Sequence, residues 1–480
     1  MAFVLLRING GFDMIDTKEM TLKHLLYKAQ EAAVSVQTAQ LVSWTKKIPT
    51  TNLLEVFRAA KQLNKDRIFW TNSTNDFSLI GIGSVHKIVA FDDRFHQVEQ
   101  DWNQLVEGAM IHNEYNVSGT GLVALGGMSF DPLRERSELW EKYPPSQLTI
   151  PEIVFAQHKE DYYMTWNRLV EQTDNVEEMV HEMDSIEDTL RQTVSTTTTS
   201  KQTIMHKHVV APEHWKQTVQ RAVNEIKANR AKKIVLAREL RITLNQQANI
   251  PEMLRHLLRT QPNSYIFAFE HGDNCFIGAT PERLVQVEGE QLLSTCLAGT
   301  APRGKTEEAD EQMAKELLED PKNREEHEYV VQMIKRSIEP SCEDIEIPKE
   351  PVIYPLRNLQ HLYTPVKATL KDGYSVFDLI EKLHPTPALG GVPRDTALAF
   401  MREHEWLDRG WYGAPIGWVD SNKHSEFAVA LRSGLVQADE VSLFAGCGVM
   451  RDSDPDMEFE ETKMKFLPML QIMEASDESY

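Results

Sequence analysis

Several polar residues of this chain sit where the surrounding periodicity calls for apolar ones, and a charge in such a place needs a reason. In the run that begins at Lys322, Glu326 keeps step with Val330, Ile334 and Ile338 at intervals of four, so on a helix it shares an otherwise apolar stripe. Near the end of the chain Glu458, Glu461 and Lys465 recur at three and four and share one helical face. Each has two readings. Glu326 is either a solvated glutamate at the edge of its stripe or a carboxylate turned inward. Glu461 and Lys465 are either a surface pair worth ~0.3–0.5 kcal/mol or part of a site. The run Ser425–Gly434 alternates Phe427, Val429 and Leu431 with Ala428, Ala430 and Arg432. A face of alanines ending in arginine leaves space beside a fixed cation, which suits an anionic ligand but also a tightly packed sheet. Ala445-Gly-Cys-Gly offers backbone N–H groups unobstructed by side chains, as carboxylate-binding turns require. Lys233, opening an apolar run, and Glu282, following Gly278-Ala-Thr-Pro, are unremarkable singly.

The elements that position these groups follow from periodicity and turn residues. Pro212–Arg230 reads as a helix, with Pro near its start and apolar Trp215, Val219, Ala222, Val223 and Ile226 in step. Ile234–Ile242 reads as a strand. A meander follows, with strand runs at Tyr265–Glu270, Cys275–Gly278, Leu284–Val287 and Leu292–Leu297, punctuated by Gly272-Asp273 and Gly289. Glu307–Ile338 is helical with an interruption near Pro321. Phe427–Val436 and Val441–Ala445 read as two strands, and Asp456–Met473 as a closing helix. Earlier in the chain Phe77–Gly83 and Lys87–Phe91 read as strands, and residues 170–195 are acidic with helical period. The Ser/Thr tract Val194–Lys201 cannot bury much apolar surface and reads as an exposed connection. A boundary therefore falls near 195–207, separating an N-terminal region 1–207 from a region 208–473 and a tail 474–480. Strand runs and helices without strict βαβ alternation predict an α+β fold, in which large antiparallel or mixed sheets pack as a sandwich with helices outside.

Composition excludes several classes. At 480 residues, with 41% hydrophobic and 26% charged, the chain is of ordinary globular make-up. A net charge of −21 argues against a nucleic-acid partner, which needs clustered Lys and Arg. No apolar stretch approaches the ~20 residues of a membrane span, and the start at Met1 lacks the length of a signal peptide. Cys275, Cys296, Cys342 and Cys447 have no paired spacing, so they are read as reduced thiols of a cytoplasmic protein rather than a disulfide frame or zinc site.

Eight motifs occur in order from about His208 to Met473: Lys232-Lys-Ile-Val-Leu-Ala-Arg, Phe276-Ile-Gly-Ala-Thr-Pro-Glu-Arg-Leu, Leu297-Ala-Gly-Thr-Ala-Pro-Arg-Gly, Lys322-Asn-Arg-Glu-Glu-His-Glu, Leu383-His-Pro-Thr-Pro-Ala-Leu-Gly-Gly, Arg432, Phe444-Ala-Gly-Cys-Gly and Glu458-Phe-Glu-Glu-Thr-Lys-Met-Lys. Together they resemble the chorismate-utilising enzymes, whose members include anthranilate, aminodeoxychorismate, isochorismate and salicylate synthases. The likeness is closest to the isochorismate synthases, above all the menaquinone-pathway kind with a long N-terminal region. The resemblance implies an anthranilate synthase component I-like fold and a Mg²⁺ ion held by Glu326 and Glu461, with Glu458 assisting through water. It implies that Arg432, Lys465, Gly446 and Gly448 hold the enolpyruvyl carboxylate of chorismate. His361, Thr386, Ala388 and Leu389 would line the pocket, and Gly299 and Thr300 would back the substrate. Lys233 would activate water as general base, and Glu282 would protonate the leaving hydroxyl as general acid.

Within the family, relatives that install ammonia carry glutamine at the position of Lys233, so a lysine there points to water as nucleophile. The covalent aminodeoxychorismate synthases carry a lysine where Ala298 stands. No glutamine-amidotransferase region is present and no obligate amidotransferase subunit is expected. Asn323 departs from the Asp common in the metal-helix motif, which removes an outer-shell carboxylate there. The expected reaction is conversion of chorismate to isochorismate. The alternatives are a salicylate synthase that goes on to lose pyruvate, a siderophore-pathway isochorismate synthase, and a chorismate-binding protein without turnover.

Overall fold

The strand runs pair into two large sheets in the computed structural model, which describes residues 3–8, 11–16, 21–191, 202–357 and 359–474. The Ser/Thr connection and the tail beyond Glu474 lie outside the described residues. Among these residues one sheet has thirteen strands. From one edge it runs Ile204–Val209, Lys233–Leu244, Glu440–Val449, Ser433–Gln437, Asn274–Thr280 and Tyr265–His271. It continues through Arg67–Thr71, Phe77–Ile82, Ile153–His158, Asp161–Val170, Gln40–Ile48 and Met110–His112. The short strand Gly391–Val392 pairs beside Lys233. The second sheet has ten strands and centres on Leu359–Leu370, Gln291–Pro302, Arg283–Glu288, Ser425–Val429 and Pro415–Asp420. Pairing in both is antiparallel except between Gln40–Ile48 and Met110–His112, so the fold is the α+β arrangement of large mixed sheets that the strand runs predict. Both sheets contain strands from either side of residue 207.

Alternating side chains from both sheets build an aromatic layer between them, with Trp70, Phe267, Phe276, Trp411, Trp418 and Phe444 buried and Phe77 stacked on Trp418 at 4.8 Å. Helices cover the other faces. Trp215, Val219, Ala222, Val223 and Ile226 of helix Pro212–Lys227 are all buried, as their spacing requires. The interruption at Pro321 is a helix restart. Asp320 caps helix Pro321–Ile338 by accepting from the Asn323 backbone N–H, and proline occupies the first turn, where it costs no hydrogen bond.

Two expectations are corrected. The run Phe427–Val436 is not one strand. Ser425–Val429 belongs to the ten-stranded sheet and Ser433–Gln437 to the thirteen-stranded one, with the chain crossing between sheets at Ala430–Arg432. Arg432 sits at φ 46°, a left-handed backbone that breaks the alternation. The apolar run is interrupted there by Arg432-Ser433-Gly434, a polar and glycine break between Leu431 and Leu435 that marks the crossing. Likewise Ala445-Gly-Cys-Gly is no turn; it lies inside strand Glu440–Val449.

No described helix is long and apolar enough to cross a membrane, and all four cysteines are free and buried.

Candidate active site

The thirteen-stranded sheet delivers the lysine. Strand Lys233–Leu244 pairs with Glu440–Val449, with Val235 opposite Gly448 and Ala237 opposite Gly446. Alternation places Lys233, Val235, Ala237, Gly446 and Gly448 on one face. A Cβ on Gly448 would lie 2.7 Å from Lys233 Cε, so a larger residue there would make the lysine shift. Lys233 Nζ donates to Glu326 Oε1 at 2.7 Å. Helix Pro321–Ile338 is fixed by buried Val330, Ile334 and Ile338, and by the two ring nitrogens of His327, which lie 3.0 Å from the Ala298 carbonyl and 2.8 Å from Thr364 Oγ1. Glu326 stands where its stripe leaves the core, with its side chain 38% accessible and facing the lysine.

The carboxyl of Glu282 arrives in the turn between Asn274–Thr280 and Arg283–Glu288. It is buried, and burial pushes its pKa up to about 7 against the opposing pull of Lys233 and Arg432. Arg432 reaches the same space from the crossing between the sheets. Its guanidinium makes no hydrogen bond or ion pair among the described residues, and burial lowers its pKa to about 10 despite the proximity of Glu282. From helix Pro455–Met473, Lys465 Nζ donates to the Gly446 carbonyl and to Glu461 Oε1, each at 2.8 Å.

The ten-stranded sheet adds a neutral acceptor. Strands Gln291–Pro302 and Leu359–Leu370 slip register between Ala298 and Thr300, where Gly299 takes φ 78°. The slip sets Thr300 opposite His361, with Thr300 Oγ1 3.0 Å and the Gly299 carbonyl 3.3 Å from His361 Nδ1. Burial and then Arg432 depress the His361 pKa to about 3, so the ring is neutral at pH 7. With Nδ1–H donating to the Gly299 carbonyl, Nε2 is left as a bare acceptor, and it is buried without a partner among the described residues. Thr386 Oγ1 is also buried and unpartnered, while its carbonyl accepts from Leu389 N and Gly390 N at 2.9 and 2.8 Å.

These groups converge on one cavity of about 540 Å³, lined by Glu282, Thr300, His361, Ala388, Leu389, Arg432, Gly446, Gly448, Glu461 and Lys465. Gly299 and Thr386 stand one and two residues behind lining positions. Lys233 reaches the cavity wall over Gly448, and Glu326 is tied to it through the ion pair.

The carboxylates do not gather into a ready cage. Glu326 is paired with Lys233 and Glu461 with Lys465, and among the described residues no group of three or more His, Cys, Asp or Glu side chains is arranged to hold a metal. One feature does fit a cation: Glu458 Oε2 is buried with no hydrogen-bond partner among the described residues. Burial, and next the neighbouring Glu458, raise the Cys447 thiol pKa well above its ordinary value. A buried carboxylate oxygen without a partner suits a hard divalent ion such as Mg²⁺.

Arg409 escaped sequence reasoning. It lines the cavity, is buried, and is paired with Glu405 at 2.6 Å. It donates to the Val235 and Leu389 carbonyls at 2.8 and 3.2 Å, while Glu405 Oε2 accepts from Ala237 N at 2.8 Å. The pair thus ties the lysine strand to the Ala388–Leu389 loop. Both residues lie outside regular elements, so no period marks them. Arg238 was also missed. It stacks on Phe459 with its guanidinium carbon 4.0 Å from the ring centroid, and it bonds Thr462 Oγ1 at 2.7 Å, holding the helix of Glu458, Glu461 and Lys465 to the lysine strand.

The family model of chorismate binding enzymes matches residues 27–474. Isochorismate synthase MenF of Bacillus subtilis (strain 168) is 36% identical over 474 residues, covering 96% of this chain and 99% of that protein. The salicylate biosynthesis isochorismate synthase of Pseudomonas aeruginosa is 31% identical over 457 residues, covering 95% and 94%. Among solved structures, the menaquinone-specific isochorismate synthase MenF from Escherichia coli superposes with a TM-score of 0.78 at 23% identity, covering 94% of this chain and 100% of that one, so the two share a fold.

Proposed function

This chain belongs to the chorismate-binding enzyme family, and we propose that within it the chain is an isochorismate synthase, an isomerase that exchanges the C4 hydroxyl of chorismate for a hydroxyl at C2. The observation that carries the mechanism is the convergence of a lysine amine and a carboxyl with a pKa of about 7 on one cationic cavity. Arg432, with no partner among the described residues, and Lys465 bind the enolpyruvyl carboxylate beside Gly446 and Gly448. His361 Nε2 and Thr386 Oγ1, both lacking partners, offer hydrogen bonds to ring substituents, and Gly299 and Thr300 back the ring.

Lys233 takes a proton from water as the water oxygen bonds to C2, and the ring double bond shifts as the C4–O bond breaks. Glu282, still half protonated near neutral pH, gives its proton to the departing hydroxyl, which leaves as water. One water enters and one leaves, so substrate and product are isomers. Solvent exchange returns the proton from Lys233 to Glu282. To accept a proton, Lys233 must act as the free amine, so it must leave its ion pair with Glu326 and give up a proton to solvent before water attacks. Glu326, Glu458 and Glu461 are the residues proposed to hold Mg²⁺, supported by the orphaned Glu458 oxygen. Bound there, the ion would neutralise the ring carboxylate and compete with Lys233 for Glu326. A cytoplasmic location, action without an amidotransferase subunit, and delivery of product to menaquinone synthesis complete the proposal; the last is supported by likeness to the MenF relatives.

The test is incubation of the purified protein with chorismate and Mg²⁺, followed by chromatographic separation. An equilibrium mixture of chorismate and isochorismate that fails to form with EDTA is expected. Salicylate with pyruvate would assign the lyase reaction instead, and unchanged chorismate would overturn the enzyme assignment.

A further inference from the structure

Next to the catalytic cavity lies a second one of about 670 Å³, lined by Arg259, Arg303 and Arg357 with Thr260, Asn263 and Leu356 among its other walls. The two share Leu356 and Arg357, and Gln261, in the chain between two wall residues of the second cavity, lines the first. Among the described residues no carboxylate lines the second cavity. Arg303 is neutralised by a bidentate pair with Asp310 and braces the wall by donating to the Leu356 carbonyl at 2.8 Å. Arg357 is exposed and makes no hydrogen bond or ion pair among the described residues, and Arg259 is exposed with only a neighbouring imidazole, His256, at 3.1 Å.

On a protein with net charge −21 this local positive field is out of keeping with the rest of the surface. It adjoins a cavity whose proposed ligand carries two carboxylates. A diffusing dianion is repelled by the protein as a whole and drawn in where unpaired cations dominate, since fixed charges at a cleft raise the local concentration of opposite charge. We propose that the arginine-lined cavity is an anion vestibule that gathers the dianionic substrate and passes it across the shared Leu356–Arg357 wall to Arg432 and Lys465. This rests on the dicarboxylate reading of the catalytic cavity.

A unit charge acting on a dianion at a separation on the order of 10 Å in water changes the encounter rate roughly threefold near 10 mM salt, and by less than about 1.5-fold near 0.3 M. The test is the association rate constant of chorismate with the full-length protein, followed by stopped-flow tryptophan fluorescence across that salt range. Arg259→Gln with Arg357→Gln should associate about tenfold more slowly at low salt and converge on the wild type at high salt, whereas Arg357→Lys, which keeps the charge, should retain the wild-type rate and salt slope. A double variant with the wild-type slope, or a deficit that persists unchanged at 0.3 M, would overturn the vestibule. Product analysis on the same samples separates the two ideas. Salt-steered binding without isochorismate formation would leave the vestibule standing and remove the enzyme assignment, while a wild type that does not bind chorismate would overturn both.

Discussion

Glu282→Gln isolates a group whose behaviour two unrelated assays should report with the same number. Burial lifts the Glu282 pKa from 4.5 to about 7 in the folded protein. In that interval the folded state keeps a proton that the unfolded chain has released, so raising the pH through it destabilises the fold. Each pH unit between 4.5 and about 7 counts for 1.36 kcal/mol, and the fully deprotonated protein gives up about 3 kcal/mol relative to its state below pH 4.5. Glutamine of the same shape does not titrate. Urea unfolding of wild type and variant should therefore show a stability difference that moves in favour of the variant by about 3 kcal/mol between pH 4.5 and 8.5 and then levels off. The wild-type kcat/KM should independently fall on its alkaline side with an apparent pKa near 7, approaching tenfold per pH unit, because the proposed general acid must be protonated. In the variant that limb should vanish along with some 10²–10⁴-fold of the rate. A stability gap independent of pH would show that Glu282 is not held protonated by burial. A rate limb unchanged in the glutamine variant would assign the titration to another group.

Three further outcomes are expected. Lys233→Ala should lose turnover while still binding chorismate, measured by calorimetry alongside product formation; normal turnover would remove the lysine from the role of base. Gly448→Ala puts a methyl where Lys233 Cε lies only 2.7 Å away, so the lysine must shift. A displacement of about 1 Å lowers kcat on the order of 10²-fold, and an unaffected kcat would mean that the lysine has room to move. Glu458→Gln should raise the Mg²⁺ concentration for half-maximal activity and leave Mg²⁺-independent folding, followed by circular dichroism, unchanged. An identical Mg²⁺ titration would place the ion elsewhere.

The site was legible in the sequence only in part, and the two carboxylates that anchor it differ in how. Glu326 was marked by its own stripe, because helix Pro321–Ile338 folds on local signals: a cap at Asp320, proline in the first turn and a period that buries Val330, Ile334 and Ile338. What that glutamate faces was not marked, since Lys233 is 93 positions away in the chain. Glu282 carried no local signal at all. Its raised pKa comes from burial between sheets whose strands are distant in sequence, a property of the assembled sandwich.

What the sequence by itself determined was the inventory: strands and helices set by period, breaks set by proline and glycine, and ordered motifs that identify the family. Tertiary structure alone decided the geometry of the site. Strand pairing lets Lys233 lie over Gly448, and the chain changes sheets at Ala430–Arg432, so that Phe427 and Leu435 serve different sheets. A one-residue slip at Gly299 sets His361 against Thr300, and the Glu405–Arg409 pair, outside any periodic element, ties the walls of the cavity together. Period records only which face of an element is buried. Which partner it is buried against is settled by the packing of residues hundreds of positions apart, and no short-range pattern encodes that.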